Sequence, residues 1–184
     1  MNILAMDPGS EESGWVEYDI TRQTVERAAH STNKELLQCL RLSLGFFPCV
    51  EMLVIEMVSH YGTGMPVGAS IFDTCVWIGR FIQAWGSRYA LLKRQAIKAQ
   101  LCGNARAKDA NVRQALIDRF PPTGGGKTPQ MGTKNEPGPL FGMKGHLWAA
   151  LAVAVCYAEQ HPPSAGPQKG RESRQSARTG VQKA

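Results

Sequence analysis

Two acidic side chains stand where apolar strands are predicted, and their setting indicates metal chemistry. Asp7 closes the run Ile3–Met6 and precedes a Pro-Gly turn, while Glu56 is the one charge within Met52–Val58. Burying an unpaired carboxylate costs several kcal/mol, so each position favours a cation, hydrogen-bond donors or exposure. If the strands are neighbours, carboxylates about 4 Å apart repel by about 4 kcal/mol at an effective dielectric of 20. A divalent cation between them would remove that repulsion.

Each candidate residue also has a simpler interpretation. The turn after Asp7 can be only a turn, although Gly9, Ser10 and Gly14 leave room there for a ligand to approach the backbone. Glu56 can point outward at the strand end or pair with a lysine. His146, in the first turn of a predicted helix, is by itself more typical of a cap or surface residue than of a ligand. The metal site is favoured because two acids share the same setting, which protein cores avoid.

The elements that must position these residues alternate between strands and helices. Asn2 to Asp19 is predicted to form two hairpin-related strands, and Met52–Val58 a strand of the parallel type, because both of its faces are apolar. Further strands are predicted at Thr24–Ser31 and Tyr89–Leu92, and helices at Asn33–Leu44, Ser70–Trp85, Lys108–Phe120 and His146–Tyr157. Asn33 is predicted to cap the first of these helices. This order predicts an α/β fold with a mixed central sheet, antiparallel in its first strands and then parallel, flanked by helices.

Composition fits one soluble domain with a basic tail. The chain has 184 residues and a net charge of +6, and we expect one domain over residues 1–160 followed by a disordered tail over 161–184. No apolar stretch approaches the roughly 18 residues that span a bilayer, so we expect no membrane contact and a cytoplasmic location. The five cysteines are odd in number and scattered, which favours reduced thiols over disulfides or a zinc site.

The positive charge indicates a polyanionic partner only where it is clustered. The tail carries five cations against Glu172, and both a solvated tail and a weak, sequence-blind DNA-binding arm remain open. More cations lie near the predicted helix at Lys108–Phe120, whose N-terminus favours phosphate; they equally fit ordinary surface charge. The candidates for DNA contact among them are Lys93, Arg94, Lys98, Arg106, Lys108 and Arg113.

Two loops carry further candidate residues. Residues 60–66 are glycine-rich and include Tyr61 and Met65, which could wedge between DNA bases or simply cover a core edge. Residues 121–145 exceed the roughly 12 to 15 residues of an ordinary unstructured connection, so we interpret them as a functional or partner-binding loop.

Taken together, these motifs resemble the RuvC-like Holliday junction resolvases, nucleases of the RNase H-like superfamily. The resemblance covers about residues 1–157. It rests on Met6-Asp7-Pro8-Gly9-Ser10 with Gly14, on Val54-Ile55-Glu56, and on His146 followed by Ala150-Leu151-Ala152-Val153-Ala154. The long loop containing residues 132–140 is similar to that of bacteriophage or prophage versions.

The resemblance implies a homodimer in the bacterial host cytoplasm that binds four-way DNA junctions. It implies nicking of two strands of like polarity with magnesium or manganese, two ions per active site. Asp7 and Glu56 match metal-binding carboxylates, His146 matches a position that the family fills with Asp or His, and Lys98 matches a basic residue near the scissile phosphate. Tyr61 or Met65 falls near the family's junction-wedging loop.

One departure from the family pattern leaves a different function open. The family commonly places an Asp three residues after the position of His146, where this chain has Ala149. A junction-binding protein with a degenerate, weakly active or inactive site is therefore an alternative. An actin-like ATPase or sugar kinase also begins with a strand, Asp and Gly, and a related nuclease could act on RNA or on branched replication intermediates.

Overall fold

The computed structural model of the chain describes residues 1–59 and 68–163. In this part the chain forms five strands and six helices. The strands are β1 (Asn2–Pro8), β2 (Glu12–Asp19), β3 (Thr24–Thr32), β4 (Val50–Met57) and β5 (Tyr89–Lys93). The helices are α1 (Asn33–Arg41), α2 (Ser43–Phe46), α3 (Ala69–Trp85), α4 (Arg94–Cys102), α5 (Asp109–Ile117) and α6 (Leu147–Gln160).

The strands form one mixed sheet in the order β3-β2-β1-β4-β5, which confirms the predicted architecture. β1 pairs antiparallel with β2 and parallel with β4, and β4 pairs parallel with β5. Met6 lies opposite Ile55 in the parallel ladder, so the next residue of each strand, Asp7 and Glu56, reaches the same edge of the sheet.

Alternation along the strands divides the core into two layers. Leu4, Met6 and Ile55 face α1 and α3, whereas Ile3, Ala5 and Val54 face α4, α5 and α6. Asp7 and Glu56 follow Ala5 and Val54 by two residues, so they lie on the same side of the sheet as those residues. Small residues of α6 (Ala150, Ala152 and Ala154) are at most 2% exposed, and their size lets this helix lie close to β1 and β2.

One local prediction was wrong, and one helix was not predicted. Asn33 does not cap the first helix: Thr32 is the N-cap, and the buried Asn33 amide donates to the carbonyl of Gly9 while its oxygen accepts from the Ser13 hydroxyl. Asn33 therefore ties α1 to the turn after β1. Helix α4 was not predicted, since this stretch of the sequence was interpreted only as a source of cations for DNA contact.

The long connection over residues 121–145 is a folded segment. Its turns are held by backbone contacts that need glycine, as at Gly132, whose φ is +71° and where a Cβ would overlap the backbone of residues 136–138. Leu140 (1% exposed) and Met143 (6%) anchor the segment in the core beside α6. The connection thereby fixes the point at which His146 enters α6, while its partner-binding role stays a prediction.

Three sequence-based expectations concern the whole chain. All five cysteines are free thiols, as predicted. None of the helices in the described ranges is long and apolar enough to cross a membrane. The basic tail lies outside the described residues beyond position 163, and the expected division at residue 160 stays a prediction.

Candidate functional site

The structure brings Asp7 at the end of β1 into contact with His146 at the start of α6. Nδ1 of His146 lies 2.9 Å from Oδ2 of Asp7, and the histidine side chain is 71% exposed while the aspartate side chain is 16% exposed. The carboxylate accepts from Nδ1–H, so a neutral ring leaves Nε2 as an exposed acceptor. That nitrogen is free to bind a metal ion or to take a proton from water.

Gly14 explains how the backbone of α6 comes so close to the sheet. It lies opposite Asp7 in the β1–β2 ladder, and a Cβ built there would meet the backbone carbonyl carbon of His146 at 2.9 Å. The glycine in the sequence motif therefore leaves room for His146, and not for a ligand as its place in a turn had suggested.

Glu56 is engaged by a guanidinium. Nη1 of Arg94, the first residue of α4, lies 3.1 and 3.0 Å from the two carboxylate oxygens of Glu56, and its Nη2 lies 2.8 Å from Oδ1 of Asp109. Nζ of Lys98, one turn further along α4, lies 3.0 Å from the same Asp109 oxygen. Two acids and two cations thus form one chain of ion pairs leading away from the sheet edge.

Burial governs the proton affinities of the site. Desolvation raises the pKa of Glu56 to about 7; Arg94 opposes the rise and the charge of Asp7 adds to it. Desolvation also raises the pKa of Asp7, against the opposing effects of the His146 hydrogen bond and charge. The hydrogen bond from Lys98 and the charge of Arg94 lower the pKa of Asp109, outweighing its partial burial. Both strand-end carboxylates are therefore costly to ionise without a cation.

The acids, the arginine and the histidine of the site line one open pocket. It is lined by Asp7, Glu56, Arg94, Asp109 and His146, and Ala149 forms part of its wall one helical turn after the histidine. The donor set, hard carboxylate oxygens with an imidazole nitrogen, suits magnesium or manganese. Within residues 1–59 and 68–163, however, no three acidic, histidine or cysteine side chains converge closely enough to enclose an ion.

The predicted basic residues occupy different places around this pocket. Lys98 contacts Asp109 and lines an adjoining pocket beside Ala149, whereas Arg94 contacts the strand-end carboxylate of Glu56. Arg113 lies with its guanidinium carbon 4.8 Å from the Trp148 ring centroid, on the same side of the molecule. The three remaining candidates, Lys93, Arg106 and Lys108, are exposed. Tyr61 and Met65 lie outside the described residues.

Two residues of the site were missed. Asp109 had been included in a predicted helix without a role, although an acid in a first helical turn among several cations is a signal for an ion-pair network. His30 of β3 lies with its ring centroid 6.0 Å from that of His146, and its Nε2 donates to the carbonyl of Lys144 at 3.2 Å. No pattern in the sequence points to His30, because only the β2–β3 pairing brings it here.

The mixed five-stranded sheet and its flanking helices form a RuvC-like α/β fold. The structure is similar to that of Thermus thermophilus RuvC, with a TM-score of 0.59 at 15% identity over 87% of this chain and 96% of that one. It is also similar to T. thermophilus RuvC in complex with a Holliday junction substrate, with a TM-score of 0.58 at 15% identity over 86% and 93% of the two chains. At this identity the likeness establishes the fold. No protein-family model and no curated protein matches the sequence.

Proposed function

We propose that this chain is a divalent-metal-dependent endonuclease that cleaves phosphodiester bonds in four-way or branched DNA. The observation that carries the proposal is that Asp7, Glu56 and His146 all line one open pocket, in which Arg94 pairs with Glu56. Carboxylates that burial makes costly to ionise are suited to hold a cation. The fold likeness to a resolvase solved with a Holliday junction supports the substrate class.

Magnesium or manganese, when bound, would polarise the phosphate and lower the pKa of the attacking water. The residues of the chain have separate tasks in this reaction. Asp7 and Glu56 supply oxygen ligands, and Nε2 of His146 either binds an ion or accepts a proton from water. Lys98 and Arg94 offset the negative charge that builds up on the phosphate.

The test is cleavage of a synthetic four-way junction with magnesium or manganese. We expect metal-dependent nicking by the wild type and a fall of at least about 100-fold in Asp7→Asn, the scale on which single groups stabilise a transition state. Glu51→Gln is the matched control, because this carboxylate lies on the same strand as Glu56 with a side chain that is 51% exposed. Equal cleavage by wild type and Asp7→Asn would contradict the proposal.

A second function is favoured by one specific observation. Ala149 adds no ligand to the pocket wall, and three ligands do not converge in the described part of the chain. A junction-binding protein with a weak or inactive site would keep this fold and its cations. Tight binding of the junction with no metal-dependent nicking would establish this alternative.

We also propose that the protein works as a homodimer through the outer face of α3. Phe72 (63% exposed) and Val76 (55%) lie one turn apart on this helix. A Cβ built at Gly79, the next position on the same face, would meet no atom of the described residues within 4 Å. Packing among the described residues therefore gives no reason for glycine, whereas close approach of a second helix does.

Charge on the same helix fits a second copy of the chain. Asp73 and Arg80 are both exposed and lie seven residues apart on α3. An antiparallel pair of α3 helices related by a two-fold axis places Asp73 of one copy near Arg80 of the other, twice over. The apolar row between them would then be covered in both copies.

Sedimentation velocity tests the dimer. We expect a dimer for the wild type and a monomer for Phe72→Glu, because the new carboxylates would be buried without partners. Phe141→Glu is the matched control, since Phe141 is 52% exposed on the connection before α6. A monomeric wild type, or a dimer unaffected by Phe72→Glu, would contradict this surface.

The biological setting is part of the same proposal. We propose that the protein acts in the cytoplasm of a bacterial host and is encoded by a bacteriophage or prophage. The support is the resemblance of the long loop that includes residues 132–140. Expression confined to infection or prophage induction would test it.

A further inference from the structure

Arg94 occupies the space between the two acidic sides of the pocket. One of its nitrogens contacts both oxygens of Glu56, at 3.0 and 3.1 Å, and the other contacts Asp109 at 2.8 Å. The side chain is 30% exposed, and its stem lies at the start of α4 directly after β5, the neighbour of β4 in the sheet. The guanidinium therefore holds a fixed positive charge at the sheet edge.

This arrangement restricts where an ion can bind. A cation on the Asp109 side of Glu56 would have to displace the guanidinium, because both carboxylate oxygens already face Arg94. On the other side, Asp7 and the exposed Nε2 of His146 are open to the pocket. The free ligands thus lie at one end of the site only.

The wall of the pocket also lacks ligands for a second ion. Ala149 lies beside both Arg94 and Asp109 in the two adjoining pockets and offers no ligand atom. A second ion near Arg94 would be left with Glu56 and Asp109, each of which already has a cationic partner. A fixed guanidinium at this point neutralises the two acids without any ion.

We propose that Arg94 takes the place of a second cation, so that each protomer binds one divalent ion, at the Asp7 end of the pocket. This inference rests on the proposed function. In it, the Arg94 guanidinium takes the place of one of the two ions expected from the resemblance. Arg94 stays paired with Asp109 when the ion is bound and shares the Glu56 carboxylate with that ion. Its charge then lies next to the phosphate as the second positive centre of the site.

Counting bound manganese by calorimetry and by electron paramagnetic resonance tests the inference without any cleavage assay. We expect one ion per protomer in the wild type. Ala149→Asp should still bind one, because the new carboxylate would pair with Arg94. The double variant Ala149→Asp/Arg94→Ala should bind two, since it adds a ligand and removes the competing cation. Arg119→Ala is the matched control and should bind one, because this arginine is 31% exposed like Arg94 but pairs with Glu159 and not with the acids of the pocket.

Cleavage and folding are measured on the same variants. Arg94→Ala should reduce junction cleavage by about 100- to 1000-fold while its circular dichroism spectrum stays unchanged. If Arg94→Ala fails to fold, Arg94→Gln keeps a donor toward Glu56 and should show the same loss. Full activity in a folded Arg94 variant would overturn the inference.

The outcomes separate this inference from the proposed function. Two ions per wild-type protomer together with junction cleavage would overturn the role of Arg94 and leave the nuclease proposal standing. One ion per protomer without cleavage would support the ion count and contradict the nuclease. No bound ion at all would overturn both.

Discussion

The exchange Glu56→Gln is expected to stabilise the protein in the absence of metal, with a size that depends on pH. Burial raises the pKa of Glu56 from the ordinary 4.5 to about 7. Because a tenfold change in proton affinity is worth about 1.4 kcal/mol, ionising this buried carboxylate at pH 8 costs the folded state about 3 kcal/mol. Glutamine has almost the same shape and no charge, and it avoids that cost.

Proton linkage at Glu56 determines whether the free energy of unfolding rises or falls with pH. Between pH 4.5 and about 7 the folded protein binds more protons at Glu56 than the unfolded chain, so this group lowers stability progressively as the pH rises. Below pH 4.5 the side chain is protonated in both states and the cost disappears. The stability difference between Glu56→Gln and wild type should therefore be near zero at pH 4 and reach its full size above about pH 7.

Urea unfolding in the presence of EDTA at pH 4, 6 and 8 measures this difference. Glu51→Gln removes a half-exposed carboxylate from the same strand and should change the free energy of unfolding by less than about 0.5 kcal/mol at each pH. A Glu56→Gln variant that is less stable than wild type at pH 8, or whose effect does not vary with pH, would refute the reasoning. Burial would then not be the dominant influence on this carboxylate.

Three further predictions address the site and its support. Gly14→Ala forces a methyl group against the backbone of His146 and should cost about 1 to 3 kcal/mol in urea unfolding, with a parallel loss of cleavage; unchanged stability would contradict the close approach. Leu140→Ala should cost about 2 to 5 kcal/mol although it lies in a long connection, whereas Phe141→Ala should stay within about 0.5 kcal/mol, and equal values would show that the segment is not anchored. Magnesium at 100 times its Kd should stabilise the wild type by about 2.7 kcal/mol in thermal unfolding, and Asp7→Asn much less.

The sheet and the two strand-end acids were predictable because a short apolar run bounded by turns is a local signal. The uninterrupted apolar run around Glu56 indicates a strand buried on both faces, and β4 is indeed paired in parallel on both sides. Its neighbour β1 brings Asp7 to the same edge. The positions of both acids follow from their places in these apolar runs, without knowledge of the helices.

The partners of these acids were not predictable, because they depend on how helices pack on the sheet. Nothing local distinguishes Arg94 from Lys93, yet Arg94 reaches Glu56 whereas Lys93 is exposed. Likewise, Asp109 and His30 join the site only through tertiary contacts. The role of Gly14 was misread for the same reason, since the space beside it is filled by a residue far away in the sequence.

The contact between Asp7 and His146 joins the first strand to the last helix, across 139 positions of the chain. During synthesis β1 leaves the ribosome long before α6, and until α6 arrives the side of β1 that carries Ile3 and Ala5 lacks its cover. The Asp7–His146 contact therefore cannot form before α6 has been synthesised. If the proposed nuclease function holds, the order of synthesis keeps the DNA-cutting activity off until the domain is complete.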